Sequence, residues 1–108
     1  MPRIPEKKVV AQIKKLLHSF DNCYVRKRKP YIKGDPDLTG CYNGKRIEIE
    51  VKAPDGHPTR IQEKRVADWK RLGCIAGIAW SVEDVAELIY EHLLDKDKIL
   101  LEKHLKQC

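Results

Sequence analysis

The segment that most constrains the fold is residues 45–53, Lys-Arg-Ile-Glu-Ile-Glu-Val-Lys-Ala. Side chains alternate between the two faces of a β-strand, so a strand here has one apolar and one charged face. The apolar face holds Ile47, Ile49 and Val51, and the charged face holds Arg46, Glu48, Glu50 and Lys52. This pattern predicts a sheet strand with the core on one side and either solvent or a polar site on the other.

The dipeptide Asn43-Gly44 precedes this strand and is the strongest two-residue hairpin signal in the chain. It predicts that residues 37–42 form a short strand that pairs antiparallel with residues 45–53. In such a hairpin the start of the first strand lies beside the end of the second. We therefore expect Asp37 to lie close to Glu50.

The other elements follow from apolar periodicity, helix caps and breakers. They are helices at residues 4–20, 60–72, 82–93 and 95–108, and strands at residues 23–29 and 74–80. The continuous apolar run at 74–80 is typical of a strand covered on both faces, and a helical connection gives it a right-handed crossover with parallel pairing. The predicted fold class is α/β: a small mixed sheet, with an antiparallel hairpin joined to a parallel crossover strand, flanked by helices.

The 108 residues are expected to form a single domain, with a core over about residues 4–84 and a C-terminal helical segment over about 82–108. No apolar run reaches the length of a membrane span. Residues 1–6 lack the apolar core of a signal peptide, so an intracellular, cytoplasmic location is the expectation.

Neither the cysteines nor the histidines indicate a zinc site. The spacing contains no Cys-x-x-Cys pair and no close histidine pair in the set Cys23, Cys41, Cys74, Cys108, His18, His57, His92 and His104. A disulfide framework is not indicated either. The cysteines are expected to act as small buried hydrophobic residues.

Basic residues dominate the first three quarters of the chain. Up to Trp80 there are 18 Lys and Arg against 9 Asp and Glu, whereas the remainder carries 4 against 7. The densest run is Arg26, Lys27, Arg28 and Lys29, continuing to Lys33. Such a run attracts polyanions through counterion release, and nucleic acid is the commonest of these. A solvated strand that keeps the protein soluble explains the run equally well by itself.

Asp37 and Glu50 are the natural pair of ligands for a divalent cation, because Mg²⁺ and Mn²⁺ prefer oxygen. The carbonyl of Val51 could add a neutral ligand. Lys52, on the same face as Glu50, could orient a water or stabilise a pentavalent transition state. The alternative is a solvated face with cross-strand pairs worth ~0.2 to 1 kcal/mol each. Together with the basic flank, the set indicates a metal site for phosphodiester cleavage.

Two more polar residues each have two interpretations. Glu6 falls at the N-terminal end of the buried stripe of the first helix, where it can favour the helix dipole or contact a metal or water. Gln62 completes a Thr59-x-x-Gln62 capping box and also falls on the buried side of its helix. Capping and catalysis are equally supported for Gln62.

These motifs together resemble the virus-type replication-repair nuclease (VRR-NUC) domain, a branch of the PD-(D/E)XK nuclease superfamily. The similarity covers residues 4–84 and rests on Gly34-Asp35-Pro36-Asp37-Leu38-x-Gly40, Ile47-Glu48-Ile49-Glu50-Val51-Lys52-Ala53, Gln62 and Gly73. It implies a restriction-endonuclease-like core. It also implies roles for Asp37 and Glu50 as metal ligands, Lys52 as the catalytic lysine, Glu6 as the acid of the first helix, and Gln62 as a positioner of water or substrate.

The resemblance further implies a Mg²⁺- or Mn²⁺-dependent DNA endonuclease with no small-molecule cofactor. The chain looks like the standalone phage type, which suggests a homodimer that cuts branched DNA such as Holliday junctions in the host cytoplasm. The competing hypothesis is a nuclease fold that binds nucleic acid without cutting it. A metal-dependent hydrolase of small molecules is disfavoured by the basic face.

Overall fold

The computed structural model describes residues 4–29 and 32–106. In chain order these residues form α1 (Glu6–Leu17), β1 (Cys23–Lys27), β2 (Leu38–Tyr42), β3 (Lys45–Val51), α2 (Arg60–Arg71), β4 (Ile75–Ala79), α3 (Val82–Tyr90) and α4 (Asp95–Lys106). The predicted α/β class and order of elements are confirmed. Helices α1 and α3 end three residues before their predicted limits, because the chain leaves each through a short turn.

The four strands form one sheet in the order β1-β2-β3-β4. The pairs β1–β2 and β2–β3 are antiparallel, and β4 runs parallel to β3 after the crossover through α2. Asn43 and Gly44 both have positive φ, 48° and 85°, as a two-residue type I′ hairpin requires. The turn fixes the register that pairs Leu38 with Ile49. One step further along, Asp37 comes beside Glu50.

The apolar face of β3 forms the main core, as its alternation predicts. Ile47, Ile49 and Val51 are buried there with the apolar stripe of α1 and with residues of α3. The charged face is not solvated, because α2 packs against β3 and β4. The side chains of Glu48 and Glu50 are only 0% and 2% exposed. A solvated charged face is therefore wrong for these two residues.

The acidic C-terminal segment packs on the core. The Tyr42 hydroxyl donates a hydrogen bond to the buried carboxylate of Asp97 and accepts one from the Leu94 N–H at 2.9 Å. Leu101 of α4 is also buried. These contacts attach α4 to the end of β2.

The cysteines differ in burial. Cys23 is buried, and burial, followed by the charges of Cys41 and Asp97, raises the pKa of its thiol to about 12. Cys74 is half-buried. Cys41 is exposed because it points away from the core at a position alternate to Tyr42, so its predicted burial is wrong. Cys108 lies outside the described residues.

Among the described residues, the helices are too short or too polar to cross a membrane.

Candidate active site at one end of the sheet

The strand directions bring the sequence-predicted site residues to one end of the sheet. Because β2 runs antiparallel to β1 and β3, its first residue lies beside their last residues. Parallel pairing puts the end of β4 at the same place. Asp37 precedes β2, Glu50 lies near the end of β3, and Lys52 follows it. We call this place the Asp37 end of the sheet.

Asp37 is fixed by the backbone of two neighbouring strands. Its Oδ2 accepts a hydrogen bond from the Val51 N–H at 3.2 Å, and its carbonyl accepts one from the Arg28 N–H at 2.8 Å. The N–H and C=O of one strand residue point to the same side. The Val51 carbonyl therefore also faces the Asp37 side of β3, where it was expected to add a neutral metal ligand.

Glu50 has an incomplete set of partners. Its Oε2 lies 3.6 Å from Lys52 Nζ, whereas its buried Oε1 has no hydrogen-bond partner among the described residues. Burial raises the pKa of Glu50 to about 8, and the negative charge of Asp37 adds to this increase against the opposing effect of Lys52. Two carboxyl groups crowded together in a buried place favour a proton or a cation between them.

Lys52 is held by its own backbone and by the loop that follows. Its N–H donates to the Ala79 carbonyl at 2.9 Å, which extends the β3–β4 pairing past the end of the strand. The next residues turn back through a hydrogen bond from the Gly56 N–H to the Ala53 carbonyl at 2.8 Å. Trp80 Nε1 donates to the Gly56 carbonyl at 2.8 Å. The loop is thus anchored beside Lys52.

Glu48 shares the charged face of β3 with Glu50 but has a full set of partners. Thr39 Oγ1 donates to its Oε2 at 2.6 Å, Arg46 Nε donates to the same oxygen at 2.8 Å, and Arg28 Nη2 donates to Oε1. The Arg46 guanidinium lies over the Trp69 ring of α2, 4.2 Å from its centroid. Glu48 and its three donors form a closed group, which we call the Glu48 cluster.

The basic run predicted to bind nucleic acid is divided by the structure. The Arg28 side chain is 14% exposed, and besides Glu48 it donates through Nε to the Pro36 carbonyl at 3.1 Å. Arg28 therefore holds the loop that carries Asp37. The other members of the run stay exposed: Arg26, Lys27, Lys29 and Lys33. A cavity of about 400 Å³ lies between Lys27, Lys29 and Asp37.

Gln62 has the capping role. Its N–H donates to Thr59 Oγ1 at 3.2 Å, and its side-chain oxygen accepts from the Thr59 N–H at 2.9 Å, which completes the predicted capping box. Its amide oxygen is thus used at the start of α2.

Glu6 lies in the first turn of α1, as expected, but its side chain is exposed. The expected inward orientation is wrong, because the buried stripe of α1 begins only at Val9. The structure groups Asp37, Glu50 and Lys52, whereas Glu6 is exposed in the first turn of α1.

One polar group was missed from the sequence. Apart from Glu50 Oε1, the buried side-chain polar atom without a hydrogen-bond partner in the described part of the chain is Arg65 Nε. Arg65 lies three residues after Gln62 and four before Trp69, on the same stripe of α2. That spacing is the signal that could have identified it as an inward-facing cation.

The fit to a divalent cation depends on a small set of donors. The described residues contain no cluster of three or more His, Cys, Asp or Glu side chains that could hold a metal ion. Mg²⁺ is usually bound by one or two carboxylates, with waters and substrate phosphate completing its shell. Asp37, Glu50 and the Val51 carbonyl fit that mode, and the unpartnered Glu50 Oε1 supplies a free ligand atom.

Comparison of the chain with protein-family models, with curated proteins and with solved structures found no match. The resemblance to the VRR-NUC domain therefore rests on the sequence motifs around Asp37 and Glu50.

Proposed function

We propose that this protein is a divalent-metal-dependent endonuclease that hydrolyses phosphodiester bonds in DNA. The observation that carries the proposal is the buried Glu50 carboxyl group, which has an unpartnered oxygen and lies beside Asp37 and Lys52. Buried polar atoms are nearly always satisfied, and the exceptions concentrate at functional sites. A cation between Asp37 and Glu50 would supply the missing partner.

Asp37, Glu50 and the Val51 carbonyl would hold Mg²⁺ or Mn²⁺. When bound, such an ion polarises a phosphoryl oxygen and lowers the pKa of a bound water. Asp37 is oriented for this role by the Val51 N–H. Glu50 must lose its proton to bind a cation, and the nearby ammonium of Lys52 favours that ionised form.

Lys52 contributes the positive charge that phosphodiester cleavage needs. Its side chain is 15% exposed, so the ammonium is shielded from bulk water yet reachable by a substrate. A cation in such a setting stabilises the negative charge that develops on the phosphoryl oxygens, and it can orient the attacking water. Its backbone bond to Ala79 and the anchored loop after it fix where this charge lies.

The proposed substrate is DNA, with four-way junctions as its preferred form. Exposed Lys27 and Lys29 border the cavity that Asp37 lines, so phosphates bound there would lie next to the site. The preference for branched DNA, the homodimer and the standalone phage type rest on the family resemblance. A homodimer with two-fold symmetry would match two symmetric cuts in a junction.

The deciding experiment is a cleavage assay on supercoiled plasmid and on a four-way junction, with Mn²⁺, with Mg²⁺ and with EDTA. We expect metal-dependent cutting that Asp37→Asn and Lys52→Ala each abolish. Glu63→Gln, which alters an exposed carboxylate in the first turn of α2, is the matched control and should cut normally.

Metal-dependent cutting that survives both substitutions would refute the residue assignment. Salt-sensitive DNA binding with no cutting under any metal would refute the endonuclease and favour the non-cleaving binding module. The mass of the protein in solution tests the homodimer separately.

A further inference from the structure

A second basic groove lies between α1 and the outer edge of β1. It has a volume of about 440 Å³ and is lined by four lysines and a histidine: Lys7, Lys14, Lys15, Lys27 and His18. The remaining lining residues are Val10 and Ala11, so none of the carboxylates in the described part of the chain lines the groove. Such a concave surface, with four positive charges and no negative one, is suited to a polyanion.

The groove has a direction. On α1, residues 7, 11, 14 and 18 follow one face, and the small Ala11 leaves space between Lys7 and Lys14. From Lys7 to His18 the helix rises roughly 16 Å. Lys7 and Lys27 both line the groove, while His18 reaches β1 with its Nε2 at 3.1 Å from the Val25 backbone. The groove therefore follows the β1 edge.

An exposed aromatic ring stands at the His18 end of the groove. The Tyr24 ring stacks on the His18 ring, with the centroids 5.3 Å apart and the planes within 10°. Tyr24 is nevertheless 61% exposed, so the ring face opposite His18 is open. A rigid ring with one face supported and the other free is a platform for another flat ring.

The groove continues into the candidate active site. Lys27 lines both the groove and the cavity that Asp37 lines. Exposed Lys29 lies on the Asp37 side of Lys27. A chain of phosphates leaving the site could therefore pass Lys29 and Lys27, which line the cavity together with Asp35 and Asp37, and enter the groove.

We propose that this groove binds an unpaired DNA strand that extends from the cleavage site, with the lysines on its phosphates and one base stacked on Tyr24. The ring favours an unpaired strand over a duplex, because only an unstacked base offers a free face to an aromatic side chain. The inference rests on the proposed endonuclease function and adds a substrate class to the four-way junction: a branched DNA with a single-stranded arm.

The test measures binding in EDTA, so that cutting plays no part. The probes are fluorescent DNAs of about 12 nucleotides: a single strand, a blunt duplex, and a duplex with a single-stranded tail. The variants are Tyr24→Ala, Tyr24→Phe and the pair Lys7→Ala with Lys14→Ala. The controls are Tyr90→Ala on α3 and Lys103→Ala on α4, both exposed residues outside the groove.

We expect Tyr24→Ala to weaken binding of the single strand and the tailed duplex by about 5- to 100-fold, with blunt-duplex binding changed less than twofold. Tyr24→Phe retains the ring and should bind as the wild type does. The double lysine variant should lower the slope of log affinity against log salt by roughly 0.7 for each phosphate that it no longer neutralises. The two controls should bind normally.

Unchanged single-strand binding in Tyr24→Ala, or an equal loss of blunt-duplex binding, would overturn the inference. Cleavage with Mn²⁺ is measured on the same variants and separates the two proposals. Cutting with normal binding by the groove variants refutes the groove and leaves the endonuclease intact. Weakened binding by these variants, in a protein that never cuts, refutes the endonuclease and supports the groove.

Discussion

Glu48 and Glu50 are two carboxylates on the same face of one strand, and both are buried. Glu48 has three side-chain donors, whereas Glu50 keeps one oxygen without a hydrogen-bond partner among the described residues and has a second carboxyl group beside it. Burial of an acid is therefore not by itself the mark of a site. A buried acid with a missing hydrogen-bond partner is the better indicator of a functional site, because no hydrogen bond offsets the desolvation of its carboxyl group.

The difference arises from a step of two residues along β3. Glu48 lies opposite Thr39, within the paired part of the hairpin, where Arg28 and Arg46 also reach it. Glu50 lies one position past the last pair of β2 and β3, so its neighbour on the β2 side is Asp37, which precedes β2. The end of the hairpin thus separates a structural acid from a candidate metal ligand.

The largest expected difference between the two acids is in DNA cleavage, measured after each is neutralised. Glu50→Gln removes a negative ligand while keeping the shape, so we expect DNA cleavage to fall by at least about 1,000-fold, equivalent to about 4 kcal/mol in the barrier. Glu48→Gln should retain cleavage within about tenfold at a temperature where the protein stays folded. Rates on a supercoiled plasmid with Mn²⁺ measure both.

The exposed Glu63→Gln variant provides the baseline for loss of a carboxylate elsewhere. Equal losses of cleavage in the Glu48 and Glu50 variants would show that the distinction between the two acids has no catalytic meaning.

The pH dependence of stability tests the environment of Glu50 without DNA. The folded pKa of Glu50 is raised to about 8 from an ordinary value of 4.5, so the folded protein binds a proton that the unfolded chain releases. The stability from this proton is fully present below about pH 4.5 and is lost as pH rises through 8. The loss in the free energy of unfolding is on the order of 5 kcal/mol.

Urea unfolding of the metal-free protein at a series of pH values between 4.5 and 9 measures this loss. Glu50→Gln should flatten the curve, and Glu63→Gln should leave it as in the wild type. Mg²⁺ should restore stability near pH 8, because a cation favours the ionised carboxyl groups. If Glu50→Gln keeps the wild-type dependence of unfolding free energy on pH, that dependence does not arise from Glu50.

Neutralising Glu48 should have its main effect on folding. Glu48→Gln breaks a buried ion pair and leaves Arg28, which is 14% exposed, with only the more distant Asp35 carboxylate at 3.9 Å. We expect the free energy of unfolding to fall by about 3 kcal/mol. Glu50→Gln, measured in the same urea titration at pH 8, should be as stable as the wild type or more stable. A smaller loss of unfolding free energy in Glu48→Gln than in Glu50→Gln would contradict the assignment of Glu48 as the structural acid.

Much of this difference could be derived from the sequence. Counting back from Asn43-Gly44 places Asp37 next to Glu50, and the Glu-x-Lys spacing selects Glu50 over Glu48. Local signals of this kind also gave the helices, because Thr59 and Ser81 cap α2 and α3 as their side chains predict.

The Glu48 cluster could not be derived in the same way, because it depends on contacts between distant parts of the chain. Arg28 belongs to a basic run that resembles a solvated surface, and only the path of the loop ending at Asp37 turns it inward. The exposure of Glu6 likewise depends on where burial of α1 begins, at Val9, which helical periodicity does not predict. Sequence periodicity predicts which face of a helix or strand is turned inward, but it does not predict how far along the element other parts of the chain bury that face.

The smallest expected effect concerns the outer wall of the Glu48 cluster. Arg46 is half exposed, donates to Glu48 through Nε, and lies over the Trp69 ring at 4.2 Å. Arg46→Lys keeps the charge but loses the planar group that stacks on the ring, so we expect the free energy of unfolding to fall by about 1 kcal/mol.

Arg71→Lys, which alters a surface pair with Asp68, is the matched control and should change the free energy of unfolding by less than about 0.5 kcal/mol. Urea unfolding followed by tryptophan emission measures both, and cleavage by Arg46→Lys should stay within about twofold of the wild type. A cleavage loss in Arg46→Lys larger than its loss of stability explains would show that the Glu48 cluster takes part in the site, and the separation of the two acids would fail.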